Sequence, residues 1–255
     1  MMRIALLCLV PLLVSAAELD IRVIYDNTSA RPGFKEDWGY SAVVTFKGKR
    51  VLFDSGTKPD LFTQNLKRSG VEASSLDATV ISHEHPDHIG GIFAILRATK
   101  PTMSLNFLDS FPIAVFEMAD AADFSPRRLV KPREIVPGVF TTGLVQGSPS
   151  EQALLIETSQ GLVMMTGCSH PGIVKMIETA LQQRNAKSIR LLIGGFHLFE
   201  MKEPDIVPIV AKMHQLGVKS VIPAHCSGDA AKKLLKEAYG KNYDTAGAGK
   251  RLDLE

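Results

Sequence analysis

The run Ser82-His83-Glu84-His85-Pro86-Asp87-His88-Ile89-Gly90-Gly91 places three imidazoles and an aspartate within six residues, directly after an apolar strand. Imidazole nitrogen and carboxylate oxygen are borderline ligands that suit zinc or iron. Alternate residues of an extended segment face the same way, so His83 and His85 can address one ion. Asp87 and His88 turn the corner and can reach a second. The competing reading is a solvated turn that happens to be rich in histidine, and four potential ligands at this spacing argue against it.

This segment resembles the His-x-His-x-Asp-His signature of the metallo-β-lactamase superfamily. Val51-Leu52-Phe53-Asp54-Ser55-Gly56 is similar to that superfamily's first motif, a strand ending in Asp-x-Gly. More narrowly, TGCSHPGI (Thr166 to Ile173), GGFHL (Gly194 to Leu198) and PAHC (Pro223 to Cys226) resemble the branch of dihydropterin-ribofuranosyl-aminobenzene-phosphate synthase-like proteins. The resemblance implies a layered α+β fold, a four-layer αββα sandwich of two pseudo-symmetric halves with the metal site at one edge between the sheets. It also implies that His83, His85 and a third histidine hold one ion, while Asp87, His88 and a final histidine hold the other.

His225, after a Val-Ile strand, supplies the final histidine. No histidine lies between His88 and His170, which makes His170 the candidate for the third. The chain departs from the superfamily's pattern at the bridging carboxylate, because no aspartate occurs from Phe124 to Pro204 and Cys168 stands near where it would be. A thiolate there binds one ion tightly, and a nearby metal deprotonates it. The alternatives are a weakly held second ion or a single-metal site. Asp54 either accepts a hydrogen bond from a liganding imidazole, fixing its tautomer, or stabilises the Asp-Ser-Gly turn, and the two roles are compatible. His197, at the mouth of the site, is expected to give a proton to a leaving group or to bind the anionic part of a substrate. His214 reads as an exposed helix position.

These parts add up to a metal-dependent hydrolase holding one or two zinc ions, with iron or manganese as alternatives. A bound ion lowers the pKa of water to about 7 and polarises the attacked oxygen, and Asp87 orients the nucleophile. The expected substrate is a small molecule with an ester, lactone, amide or phosphodiester bond. Two rival readings stay open: an iron-dependent oxidoreductase or dioxygenase on the same fold, and a noncatalytic ligand-binding protein.

The N-terminus reads as export, since Met1-Met2-Arg3 is a basic start, Ile4 to Val14 an apolar core and Ser15-Ala16-Ala17 a small-residue end. Residues 1–17 are therefore expected to be a signal peptide, and 18–255 the domain with the metallo-β-lactamase fold that the resemblance implies, placed in a periplasm or outside the cell. The apolar stretch is shorter than the roughly 20 residues a spanning helix needs. A buried first strand or an uncleaved anchor is the alternative. Of three cysteines, Cys8 leaves with the leader, and Cys168 and Cys226 each touch a histidine motif. A disulfide between them, a role at the metal, or two buried structural thiols are all compatible with that placement.

A chain of 255 residues with 45 % apolar and 22 % charged content builds one sizeable core or two fused halves. A net charge of +2 excludes nucleic acid as a bulk partner; oligomeric state is not legible. The basic residues Arg127, Arg128, Lys131 and Arg133 read as a solvated loop.

The elements that must position the ligands alternate. Strands are expected over Ile21 to Tyr25, Ser41 to Phe46, Arg50 to Phe53 and Ala78 to Ile81, with helices over Pro59 to Lys67 and Ile89 to Arg97. The second half repeats the alternation, and Val51 with Val163, Pro59 with Pro171 and His85 with His197 share one offset. The echo places His170 just before a helix and His197 at a strand end. Between the halves, Thr99 to Val145 lacks a clean period. It is a candidate cleft wall, although core packing is the expected fate of most of its phenylalanines.

Overall fold

The computed structural model describes residues 17–255, so the expected leader lies outside the described residues apart from Ala17. The first sheet contains β1 (Leu19–Tyr25), β2 (Ser41–Phe46), β3 (Lys49–Phe53), β4 (Ala78–Val80), β5 (Ser104–Leu108), β6 (Arg127–Leu129) and the last strand, β13 (Arg251–Leu254). Their order is β13-β1-β2-β3-β4-β5-β6. The second sheet contains β7 (Arg133–Val136), β8 (Val139–Thr141), β9 (Leu154–Thr158), β10 (Gly161–Thr166), β11 (Ile189–Gly195) and β12 (Val221–Ala224), ordered β12-β11-β10-β9-β8-β7. The helices are α1 (Pro59–Arg68), α2 (Pro86–Ile89), α3 (Ile92–Ala98), α4 (Ile113–Asp120), α5 (Ile173–Arg184), α6 (Glu203–Gln215) and α7 (Asp229–Tyr239).

Period-two alternation builds the layers. Val163 and Met165 of β10 join Leu191 and Ile193 of β11 in the large core with the first sheet. Their neighbours Leu162, Met164 and Leu192 face the other way, into a second cluster with residues of α5, α6 and α7. The second sheet is thus buried on both faces, the first sheet covers one of them, and the result is the αββα sandwich. β2 and β3 join through Lys47 and Gly48, whose φ of 48° and 75° make the two-residue hairpin turn that matches strand twist.

The repeated unit is a strand, a helix and a parallel strand: β3, α1, β4 in one half and β10, α5, β11 in the other. Because β3 and β4 run parallel, as do β10, β11 and β12, their C-terminal ends gather at one edge. The helix expected over Ile89 to Arg97 is instead two, the one-turn α2 and then α3, broken at Gly90-Gly91. Phe107, Phe111, Phe116 and Phe124 are buried in the main core and are not a cleft wall. The basic residues expected in a loop lie partly on edge strands, Arg127 and Arg128 on β6 and Arg133 on β7, and the Arg128 guanidinium sits 3.6 Å over the Phe116 ring. Among the described residues no helix is long and apolar enough to cross a membrane.

Candidate metal centre

Five strand ends deliver the polar side chains of the site. Asp54 follows β3, His83 and His85 follow β4, Cys168 and His170 follow β10, His197 follows β11 and His225 follows β12. Asp54, Ser169, His197 and His225 take φ of 57°, 68°, 52° and 44°. Left-handed backbone at residues other than glycine costs energy and recurs at functional sites, here where each strand stops and its side chain must turn into the cleft. The halves meet closely at Gly167: a Cβ there would strike Ser82 Oγ and stand 2.9 Å from Asp54 Oδ2.

The side chains converge in overlapping groups whose potential ligand atoms lie within 4.8 Å of one another: His83, His85 and His170; Asp87, His88 and His225; His83, His88 and Cys168; and Cys168, His197 and Cys226. All six expected histidine and aspartate ligands are brought together at one edge, with Cys168 between the two threefold groups. Asp54 is not in any of these groups and lies behind them. His214 is exposed on α6 and stacks on Tyr239.

Hydrogen bonds settle which imidazole nitrogens face the cleft. Asp54 Oδ2 lies 2.7 Å from His88 Nδ1 and also accepts the Ser82 hydroxyl proton at 2.8 Å. Ser82 has spent its single proton on Asp54, so its oxygen accepts from His83 Nδ1, 2.9 Å away. One buried carboxylate therefore sets two tautomers, His88 directly and His83 through a hydroxyl. On the far side Asn27 donates from Nδ2 to the His225 carbonyl and accepts from Gly39 N, so it is Oδ1 that meets His225 Nδ1, at 2.9 Å. His225 Nδ1 is then the donor. Each of these three rings has Nε2 left as a lone pair.

Those lone pairs point at one another. His88 Nε2 and His225 Nε2 are 3.3 Å apart, with Asp87 Oδ2 at 3.7 Å from the first and 3.1 Å from the second. His83 Nε2 lies 3.2 Å from His170 Nε2, and Cys168 Sγ lies 3.1 Å from His88 Nε2. Acceptors gathered this tightly without a proton between them fit a cation, and nitrogen, carboxylate and thiolate donors fit zinc.

The electrostatics agree. Burial, and then the neighbouring imidazoles, hold His83 well below the ordinary histidine value and push His88 and His170 down to about 3, so all three are neutral at physiological pH. Burial works to raise Asp87, but the imidazoles of His225 and His88 beside it keep it below the usual carboxylate range. Burial pushes Asp54 and the Cys168 thiol up, a push that a cation in the cleft opposes. The Cys226 sulfur holds His197 above its ordinary value. His197 Nδ1 is buried without a hydrogen-bond partner, and its ring stands 4.2 Å from that of His170, at the cleft mouth. Trp38 and Phe199, both exposed, form the lip beside it; the Trp38 ring is 4.8 Å from that of His225.

Sequence reasoning missed Glu151. This fully buried carboxylate accepts from the backbone N–H groups of Gly167 and Cys168 on one oxygen, both at 3.0 Å, and of His170 on the other at 2.9 Å. It shapes the ligand loop from below, and burial raises it to about 7 against those bonds. Asn27 and Ser82 were also missed as tautomer setters. Glu151→Ala is expected to leave three buried N–H groups without an acceptor, at a cost of at least about 1 to 3 kcal/mol. Zinc affinity should fall about 10- to 100-fold, as when groups that orient ligands are removed. Chemical denaturation and zinc titration check both, and an unchanged affinity would remove Glu151 from the centre.

The third position of the His83 and His85 site can be separated from its neighbour. His170→Ala is expected to lose the ion of that site alone, whereas Cys168→Ser should weaken both, because Cys168 reaches the groups on either side. Metal content of the two variants decides it. Equal retention in His170→Ala and the parent would refute the assignment.

Two sheets faced with helices and a centre at the shared strand edge define the class: the chain belongs to the metallo-beta-lactamase superfamily, whose family description matches residues 38–162. Among its relatives is the 7,8-dihydropterin-6-methyl-4-(beta-D-ribofuranosyl)-aminobenzene-5'-phosphate synthase of Methanocaldococcus jannaschii, 26% identical over 79% of this chain and 83% of that protein. The chain is also 30% identical to the ribonuclease Z of Aeropyrum pernix over 54% of its own length and 44% of that protein. Among solved structures, a metal-dependent hydrolase of the beta-lactamase superfamily superimposes with a TM-score of 0.74 at 25% identity, covering 93% of this chain and 99% of that one.

Proposed function

We propose that the chain is an exported metal-dependent hydrolase that holds zinc and cleaves an ester, lactone, amide or phosphodiester bond of a small molecule. The observation that carries this reading is the set of lone pairs on His83, His88 and His225, each fixed in tautomer from behind and aimed into one cleft with Asp87. Bound zinc would supply acidified water at neutral pH and polarise the attacked oxygen. The residues of the chain do the rest. Asp87 carries its charge at neutral pH and accepts a hydrogen bond from the attacking water, which orients it. His197, half-buried at the mouth, hands a proton from its ring to the leaving group. Asp54, Ser82 and Asn27 keep the ligand rings from turning, and Trp38 and Phe199 bound the space in which substrate sits.

The solved hydrolase of the same fold, matched over nearly the whole chain, supports hydrolysis. The archaeal relative is named as a synthase, so the test must read product chemistry directly. Protein purified with its native metal is to be assayed for metal by mass spectrometry and then screened on nitrophenyl esters, lactones, amides and phosphodiesters. Zinc with turnover of one bond class is the expected result. Iron with a visible absorption band would replace this reading by an oxidative one, and zinc without turnover on any class would leave a binding protein.

Export belongs to the same proposal. Glu18 accepts hydrogen bonds from Ser159, and β1 begins at Leu19, so a cut after Ala16 or Ala17 leaves the folded domain whole. The mature N-terminus is expected at Ala17 or Glu18. Intact Met1 on protein recovered from a periplasm or the medium would contradict cleavage.

A further inference from the structure

Cys226 has no place in either threefold donor group, yet it is buried against the centre. It is 1% exposed and Cys168 is 2% exposed. Both are free thiols. Their sulfur atoms and a ring nitrogen of His197 lie within 4.8 Å of one another, and Cys226 Sγ is 3.7 Å from the Cys168 carbonyl oxygen. Gly195 leaves the room for this meeting: a Cβ there would stand 2.7 Å from Cys226 Sγ and 3.2 Å from Cys168 Cα. Cys168 therefore has two possible partners, the cleft on its His88 side and Cys226 behind it.

We propose that Cys168 and Cys226 are a modification site, a thiol pair that a peroxide closes to a disulfide when the cleft holds no ion. One sulfur attacks a peroxide oxygen, the O–O bond breaks, and a sulfenic acid and one water result. The second sulfur attacks the first, the S–O bond breaks, and the second water leaves. The two thiols lose two electrons, the peroxide gains them, and the two thiol protons finish in water. A sulfur bound to an ion has its lone pair engaged, so the pair is protected while zinc is in place. Closure turns Cys168 away from the cleft and removes the sulfur donor that lies between the two groups. This site rests on the metal-binding part of the proposed function and not on its substrate.

The test uses the full chain, hydrogen peroxide and zinc alone. Metal-free protein is treated with peroxide, free thiols are blocked with N-ethylmaleimide, and peptides are mapped without reduction. A linked peptide pair containing Cys168 and Cys226 is expected. Zinc at about 100 times its Kd should slow linkage about 100-fold, by mass action on the unligated form. Once closed, the protein should bind zinc at least about tenfold more weakly, and a phosphine reductant should restore binding. Cys226→Ser and Cys226→Ala, either of which suffices if the other misfolds, should stop at a sulfenic acid on Cys168. No linkage in the metal-free protein would overturn the pairing. Equal linkage rates with and without zinc would overturn the protection, whatever the substrate screen returns.

Discussion

Asp87→Asn is expected to lower turnover by about 100- to 10,000-fold, the range lost when a group that handles the proton of the reacting water is removed. The carboxylate lies 3.1 Å from His225 Nε2 and stays below the usual carboxylate range, so it is charged at neutral pH. The amide keeps the shape and one acceptor oxygen but no charge. It should therefore weaken the ion shared with His88 and His225 while leaving the His83, His85 and His170 group filled. Steady-state rates together with zinc stoichiometry check this, and a variant with parental turnover would take Asp87 out of the chemistry.

His197→Ala is expected to show the opposite balance: metal kept, activity lost, again by about 100- to 10,000-fold. Its ring lies outside both threefold donor groups, beside His170 at the cleft mouth, with a buried nitrogen that has no partner. A proton donor is felt most by substrates with poor leaving groups, so the loss should be larger for an alkyl ester than for a nitrophenyl ester. If the variant loses metal in step with activity, His197 is a ligand, and the three-plus-three arrangement must be redrawn.

Much of the site was legible because its ligands are short-range in sequence or carried by recognisable strand ends. His83, His85, Asp87 and His88 fall in one turn after a short apolar strand. The echo between Val51 and Val163 placed α1 and α5 in equivalent positions. What stayed hidden depends on contacts between distant segments. Glu151 precedes β9 in a stretch with no pattern of its own, and its role exists only because the backbone of the 167 to 170 loop folds over it. Asn27 lies 198 residues from His225, and nothing local marks it as the group that sets that ring. The break at Gly90-Gly91 was missed because the apolar run from Ile89 to Leu96 keeps a helical period through two glycines.

The central claim is that two ions are held by two threefold donor groups that share one cleft. Anomalous diffraction from crystals of the zinc-loaded protein tests it most directly. Two peaks are predicted, one bonded to His83, His85 and His170 and the other to Asp87, His88 and His225, with nitrogen and oxygen atoms at about 2.0 to 2.2 Å. A single peak bonded to Cys168, His197 and Cys226, or no peak within bonding distance of either group, would contradict the account.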